Sequence, residues 1–284
     1  MQKNNSDTMA LLTDFVLLVL VISGFEGRIS FANKLIREDD YYQKFQEIPS
    51  NEATARKLYQ NFLGRQTRKL YKRQISLGNY FDGIIVLDSS SSVSKGAFAR
   101  GLMALQDLVR KSRNDTNYAA ITFATRGTIQ FNFTQSFETA QKLRELKRTG
   151  GKTNTQDALK LCQEMFVGDE YGARQGSFRR IIVLTDGQSN IKSEQTVRRA
   201  FELKVLGIEV FVIAVGEYLE GIQEMVQMAS STDSHMFRVL SMTNLVDVVR
   251  LVPNRGQKSW FDETFSGVSL LGDGEDAGPL RGRI

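Results

Sequence analysis

"DGIIVLDSSSSVSKGAFARGLMALQDLVRK", residues 82–111, holds three textures in one stretch. Ile84 to Leu87 form a short apolar run rich in β-branched residues, the pattern of a strand buried on both faces. It ends abruptly in Asp88 and four serines, Ser89 to Ser92. Beyond them Phe98, Leu102, Leu105 and Val109 recur at helical spacing. A buried strand that feeds a helix through a polar loop is the opening of a βαβ unit. In an open α/β sheet such a loop lies at the carboxyl ends of the strands, where ligands bind.

The same alternation continues outward. "NYAAITFAT" (117–125) and "GTIQFNF" (127–133) read as two strands joined tightly at Arg126-Gly127, a hairpin. "SFETAQKLRELKR" (136–148) and "TQDALKLCQEMF" (155–166) read as helices separated by "TGGKTN". "RRIIVLTDGQS" (179–189) is a second buried strand that ends in an acid, Asp186. "SEQTVRRAFELKVLGI" (193–208) is an amphipathic helix opened by Ser193, with Val197, Ala200 and Phe201 inward and Gly207 at its end. Strand "EVFVIAVG" (209–216), helix "GIQEMVQMAS" (221–230) and strand "HMFRVL" (235–240) follow. A last helix, 243–252, places Leu245, Val248, Val249 and Val252 in one stripe before Pro253 stops it. The expected fold is α/β: a doubly wound, mainly parallel sheet with helices on both faces.

Composition narrows the function. The 284-residue chain carries a net charge of +5, too little to mark a nucleic-acid binder, and no nucleic-acid partner is expected. One cysteine, Cys162, and one histidine, His235, leave little for a triad hydrolase or a zinc centre. Cys162 shares a helical stripe with Ala158, Met165 and Phe166 and reads as a core thiol, and His235 reads as structural. Residues 1–24, with an apolar heart from Phe15 to Ile22, read as a secretory signal peptide. No later stretch suits a membrane span, so the expectation is a secreted, extracellular protein. Residues 25–79 form a basic, partly helical segment. From Arg28 to Tyr80, 11 Lys and Arg face 5 Asp and Glu, a net +6 suited to acidic polysaccharide. Pro49 and Ser50 mark a helix start there, with Leu58, Tyr59 and Phe62 as its apolar stripe. The main domain spans 80–253, and the Gly-rich, charged tail 254–284 reads as disordered. Asn114 and Asn132 stand in glycosylation sequons, 114–116 and 132–134.

Three oxygen-bearing clusters fall at the carboxyl edge of the expected sheet. Asp88, Ser90 and Ser92 alternate, so their side chains share one direction, with Ser89 and Ser91 as filler. Thr153 lies in the loop before a helix, and Asp186 closes the second buried strand. Two carboxylates and three hydroxyls suit a hard cation, Mg²⁺, Mn²⁺ or Ca²⁺, rather than zinc or copper. Asp-x-Ser-x-Ser at 88–92, the Thr of "GGKTNTQDAL" and the Asp of "IIVLTDGQSN" resemble the metal-ion-dependent adhesion site of von Willebrand factor type A domains. The resemblance covers roughly residues 80–252. It implies a Rossmann-like sheet with one antiparallel edge strand. Ser90 and Ser92 are then direct hydroxyl ligands, Thr153 a ligand of the ligand-competent state, and Asp88 and Asp186 acids acting mainly through water.

The function expected on these grounds is an extracellular adhesion or matrix-binding module, holding an acidic group of a protein partner through a divalent cation. The alternative is a structural extracellular or shell-matrix component that binds acidic polysaccharide through its basic segment. An enzyme is not expected. Mg²⁺-dependent phosphoryl transfer also uses an Asp after the first strand, but Ser90 stands where a second acid would serve, with no phosphate cradle beside it.

Overall fold

A computed structural model describes residues 41–63, 80–255 and 257. Residues 41–47 fall in a unit separate from the rest and include a 3₁₀ turn, Lys44–Gln46. From Ile48 onward the fold is organised by a six-stranded sheet. Its strands are β1 (Phe81–Asp88), β2 (Thr116–Phe123), β3 (Gly127–Gln135), β4 (Phe178–Thr185), β5 (Glu209–Val215) and β6 (Met236–Val239). They stand in the order β3-β2-β1-β4-β5-β6, and all neighbours are parallel except β2 and β3. The expected doubly wound sheet with one antiparallel edge strand is therefore the fold observed.

Every residue of β1 is buried, because both faces are covered. One face packs under α1 (Asn51–Lys57), α2 (Lys95–Arg110), α3 (Ser136–Lys142) and the final helix, α8 (Met242–Leu251). There Ile85 and Leu87 meet Phe98, Leu102 and Leu105 of α2 in one apolar cluster. Ile84 and Val86 point the other way, toward the layer of α4 (Thr155–Val167), α5 (Ser193–Val205) and α6 (Ile222–Met228). In α4 the Cys162 thiol is fully buried, and burial pushes its pKa far up. The hairpin turns through Ala124, Thr125 and Arg126, where Ala124 N donates to Arg126 O at 3.1 Å. Gly127 is required there: a Cβ would sit 3.2 Å from the Ala158 backbone and 2.8 Å from Leu161.

Four local expectations need correction. The helix read over 136–148 ends as α3 at Lys142 and gives way to a 3₁₀ turn, Leu143–Glu145. The inner stripe of α5 is Thr196, Ala200 and Leu203, and Phe201 is 63% exposed. Positions 196, 200 and 203 keep the helical period, whereas 201 lies a further 100° round the axis. Ser193 is the first helical residue rather than a cap; Lys192 precedes it in the left-handed region (φ 50°), with no side-chain cap. His235 closes a short helix, α7 (Thr232–His235), instead of opening β6. Its Nδ1 lies 2.9 Å from the Ser231 hydroxyl and its ring packs on Phe211 at 4.3 Å.

The helix expected in the basic segment forms and joins the core. Ser50 caps α1, its hydroxyl accepting Ala53 N–H at 3.2 Å, and α1 runs into a π turn, Leu58–Phe62. Leu58, Tyr59 and Phe62 are at most 5% exposed, and the Phe62 ring meets Phe211 edge-on at 5.2 Å. Arg180 donates to the Phe62 carbonyl at 2.6 Å, and Lys57 Nζ donates to the carbonyls of Thr232 and Met236 at 3.0 and 2.6 Å. The expected leader (1–24), residues 25–40 and 64–79 of the basic segment, and 256 and 258–284 of the expected tail lie outside the described residues.

Truncating a buried aromatic leaves a cavity, so Phe62→Ala is expected to cost about 3–5 kcal/mol of stability. Urea unfolding of the full chain measures it; an unchanged midpoint would place Phe62 outside the cooperative core.

Candidate metal centre

β1 delivers Asp88 to the carboxyl edge of the sheet with 0% exposure. A carboxylate taken out of water must be hydrogen-bonded. Asp88 Oδ1 accepts Ser90 N–H at 2.8 Å, and Oδ2 accepts the Thr185 hydroxyl at 2.7 Å. The first bond closes the loop tightly enough to bring the Ser90 and Ser92 hydroxyls to 2.9 Å. Ser92 in turn donates to Asp186 Oδ1 at 2.7 Å, joining the end of β1 to the residue after β4. Buried Val93 and the Ser94 cap, which accepts Ala97 N–H at 3.1 Å, then start α2.

The structure thus links Asp88, Ser90, Ser92 and Asp186 in one hydrogen-bonded set. Thr153 stands in the adjoining loop, held by its backbone: Thr153 N–H donates to Asn190 Oδ1 at 2.8 Å, and its carbonyl accepts Asn190 N–H at 2.9 Å and the Ser189 hydroxyl at 3.2 Å. Among the described residues no hydrogen bond ties its own hydroxyl to the other four. Gly150 and Gly151, with φ of 76° and 113°, turn the chain toward it in a region other residues resist.

Ser89 and Ser91 are not filler. Ser89 is fully buried, and its hydroxyl accepts Thr149 N–H at 2.6 Å and pairs with the Thr149 hydroxyl at 2.9 Å. The Ser91 hydroxyl accepts Gly151 N–H at 2.8 Å, while Ser91 N–H donates to the Gly151 carbonyl at 2.9 Å. The alternation that turns 88, 90 and 92 one way turns 89 and 91 toward the Thr153 loop. Every oxygen of the run therefore has a task. Thr185, Asn190 and Glu224 were also missed by sequence reading. Thr185 is adjacent to Asp186, but its role needs the β1–β4 pairing to be known.

Burial raises the Asp88 pKa; hydrogen bonds from Ser90 and Thr185 oppose this, and the Asp186 charge adds to it. Burial also raises Asp186, against the Ser92 bond. A cation placed among these oxygens would relieve both carboxylates. Among the described residues no three His, Cys, Asp or Glu side chains cluster as a metal group. Two acids beside neutral hydroxyls fit a hard, oxygen-seeking ion.

A sequence profile of the von Willebrand factor type A domain matches residues 82–251. The chain belongs to the von Willebrand factor type A domain family. A human collagen alpha-5(VI) chain is 30% identical over 182 residues, which cover 61% of this chain and 7% of the collagen chain. The rat von Willebrand factor A domain-containing protein 1 is 30% identical over 142 residues, 48% of this chain and 33% of that protein. The chain thus spans a third or less of these type A relatives. In fold, proximal thread matrix protein 1 from the mussel byssus superposes with a TM-score of 0.55 at 22% identity, over 61% of this chain and 47% of that one. Another structure of that protein, described as having a zinc-occupied MIDAS motif, superposes with a TM-score of 0.54 at 23% identity.

Behind the site, burial pushes the Glu224 pKa from 4.5 up to about 7, although Ser189 N–H donates to its carboxylate at 2.8 Å. Below pH 4.5 both folded and unfolded chains hold this proton; between 4.5 and about 7 only the folded chain does. The Glu224 contribution to stability therefore falls as pH rises through that window. Urea midpoints in EDTA are expected to fall less steeply from pH 4.5 to 7 in Glu224→Gln than in the wild type. Parallel curves would remove Glu224 as the cause.

Proposed function

We propose that the chain is an extracellular adhesion or matrix-binding module that engages an acidic group of a protein partner through a divalent cation. The observation carrying this reading is the hydrogen-bonded set Ser90–Ser92–Asp186 beside buried Asp88. Ser90 and Ser92 are the hydroxyl ligands, Asp88 and Asp186 the counter-charges, and Thr153 the hydroxyl recruited with the partner. The ion is Mg²⁺, Mn²⁺ or Ca²⁺, and when bound it supplies an electrophilic position for a carboxylate. Neutral hydroxyl donors leave more of the ion's charge for that carboxylate than further acids would.

Support for the matrix setting comes from the relatives, a collagen chain and a byssus thread matrix protein, neither named for an enzymatic activity. Among the described residues no helix is long and apolar enough to cross a membrane. Asn114 and Asn132, the acceptor residues of the two sequons, are exposed. The polysaccharide-binding alternative rests mainly on basic residues outside the described ones.

Calorimetry on EDTA-stripped protein is expected to find about one site for Mg²⁺ or Mn²⁺. Ser90→Ala and Ser92→Ala should each weaken it at least about tenfold, since losing even an outer partner of a metal ligand costs that much. Unchanged affinity in both variants would overturn the ligand assignment. Binding to a matrix extract should be lost with EDTA and in Asp88→Ala.

A further inference from the structure

Beside the proposed metal centre, a groove of about 420 Å³ runs between α2 and the segment 144–148. Its size suits ligand binding. Phe98 and Leu102 of α2 and Leu146 opposite supply apolar lining. Lys95 stands on one wall, and Arg144, Lys147 and Arg148 on the other. None of the lining residues is acidic, and none of these four cations forms an ion pair among the described residues.

Two of the four are already oriented. Arg144 Nε donates to Gln106 Oε1 at 3.2 Å, across the groove, and Arg148 Nε donates to the Ser90 carbonyl at 3.2 Å. Each guanidinium keeps further N–H donors in a planar fork suited to carboxylates. At the same end α2 starts with Lys95 and has no acid in its first turn, so its positive dipole end is not neutralised within the helix. The Arg148 bond ties the groove wall to the backbone of Ser90, a proposed metal ligand.

We propose that this groove receives an extended acidic peptide segment of the partner, with carboxylates alternating with aliphatic or aromatic side chains. The proposal rests on the adhesion reading only for the carboxylate at the cation; the groove stands on its own lining. From Lys95 to Gln106 the helix rises about 16 Å, a length spanned by about five extended residues. Alternate side chains of such a segment face opposite ways, so apolar groups reach half-buried Leu146 and the outer edges of Phe98 and Leu102, otherwise buried in the core, while carboxylates meet the cationic walls. The apolar lining favours a peptide over a sulfated polysaccharide, which has no apolar side chain to place there.

The test uses the isotope-labelled full chain, with amide shifts followed by NMR. The probes are the capped peptide Glu-Leu-Asp-Phe-Glu, its amide counterpart Gln-Leu-Asn-Phe-Gln, and a heparin-derived oligosaccharide. In EDTA the acidic peptide is expected to shift amides along residues 95–106 and 144–148, and the amide peptide to leave them in place. Arg144→Glu combined with Lys147→Glu should weaken the acidic peptide at least tenfold with the thermal midpoint held. Added Mg²⁺ should tighten the wild type but not Ser90→Ala. No shifts along the two walls, equal binding by the charge-reversed variant, or tighter heparin binding on the same residues would each overturn the proposal. If Mg²⁺ adds nothing while the EDTA binding persists, the metal reading fails and the groove assignment stands.

Discussion

The carboxylate of Asp88 sits at the end of a central strand with no contact with bulk water. Burying a charge without compensation is costly enough that the group takes up a proton or finds partners. Here the partners are fixed dipoles: the Ser90 amide on one oxygen and the Thr185 hydroxyl on the other. Satisfying the first bends the loop after β1, and satisfying the second depends on the neighbouring strand. The serine run, the conformation of its loop and the approach of Asp186 follow from that demand.

Sheet topology makes the arrangement possible. The chain leaves β1 through α2 toward β2 on one side and leaves β4 through α5 toward β5 on the other. The two connections diverge and open a crevice between the paired strands. Asp88 and Asp186 enter it from its two sides, and the 149–154 loop closes a third. That loop is anchored on three sides, to Ser89 and Ser91 before α2, to Ala124 and Thr125 of the hairpin, and to Asn190 after β4. Motion of any one loop is therefore coupled to the others through bonds to backbone groups.

Much of this was legible in the sequence. Buried parallel strands announce themselves as runs such as Ile84–Leu87 and Ile181–Leu184, and the hairpin at Arg126-Gly127 and the stripe of the last helix follow from spacing alone. Finer errors came from two sources. The apolar character of Phe201 suggests burial, yet the smaller Thr196 and Ala200 carry the contact stripe. Ser89, Ser91, Thr185 and Asn190 were missed or discounted because their partners lie far along the chain, and spacing does not encode which loops will meet. The packing of Leu58, Tyr59 and Phe62 lies between these cases: their stripe was visible, but not the surface that would cover it.

The chain's one thiol adds a constraint on assembly. Cys162 faces the interior of α4, and burial disfavours the thiolate that disulfide exchange requires. While the domain stays folded, an oxidant has no handle on it, and two copies cannot be stitched together through sulfur. A cysteine introduced on the surface would then be the one reactive position for a dye or a tether, with the native residue left in place.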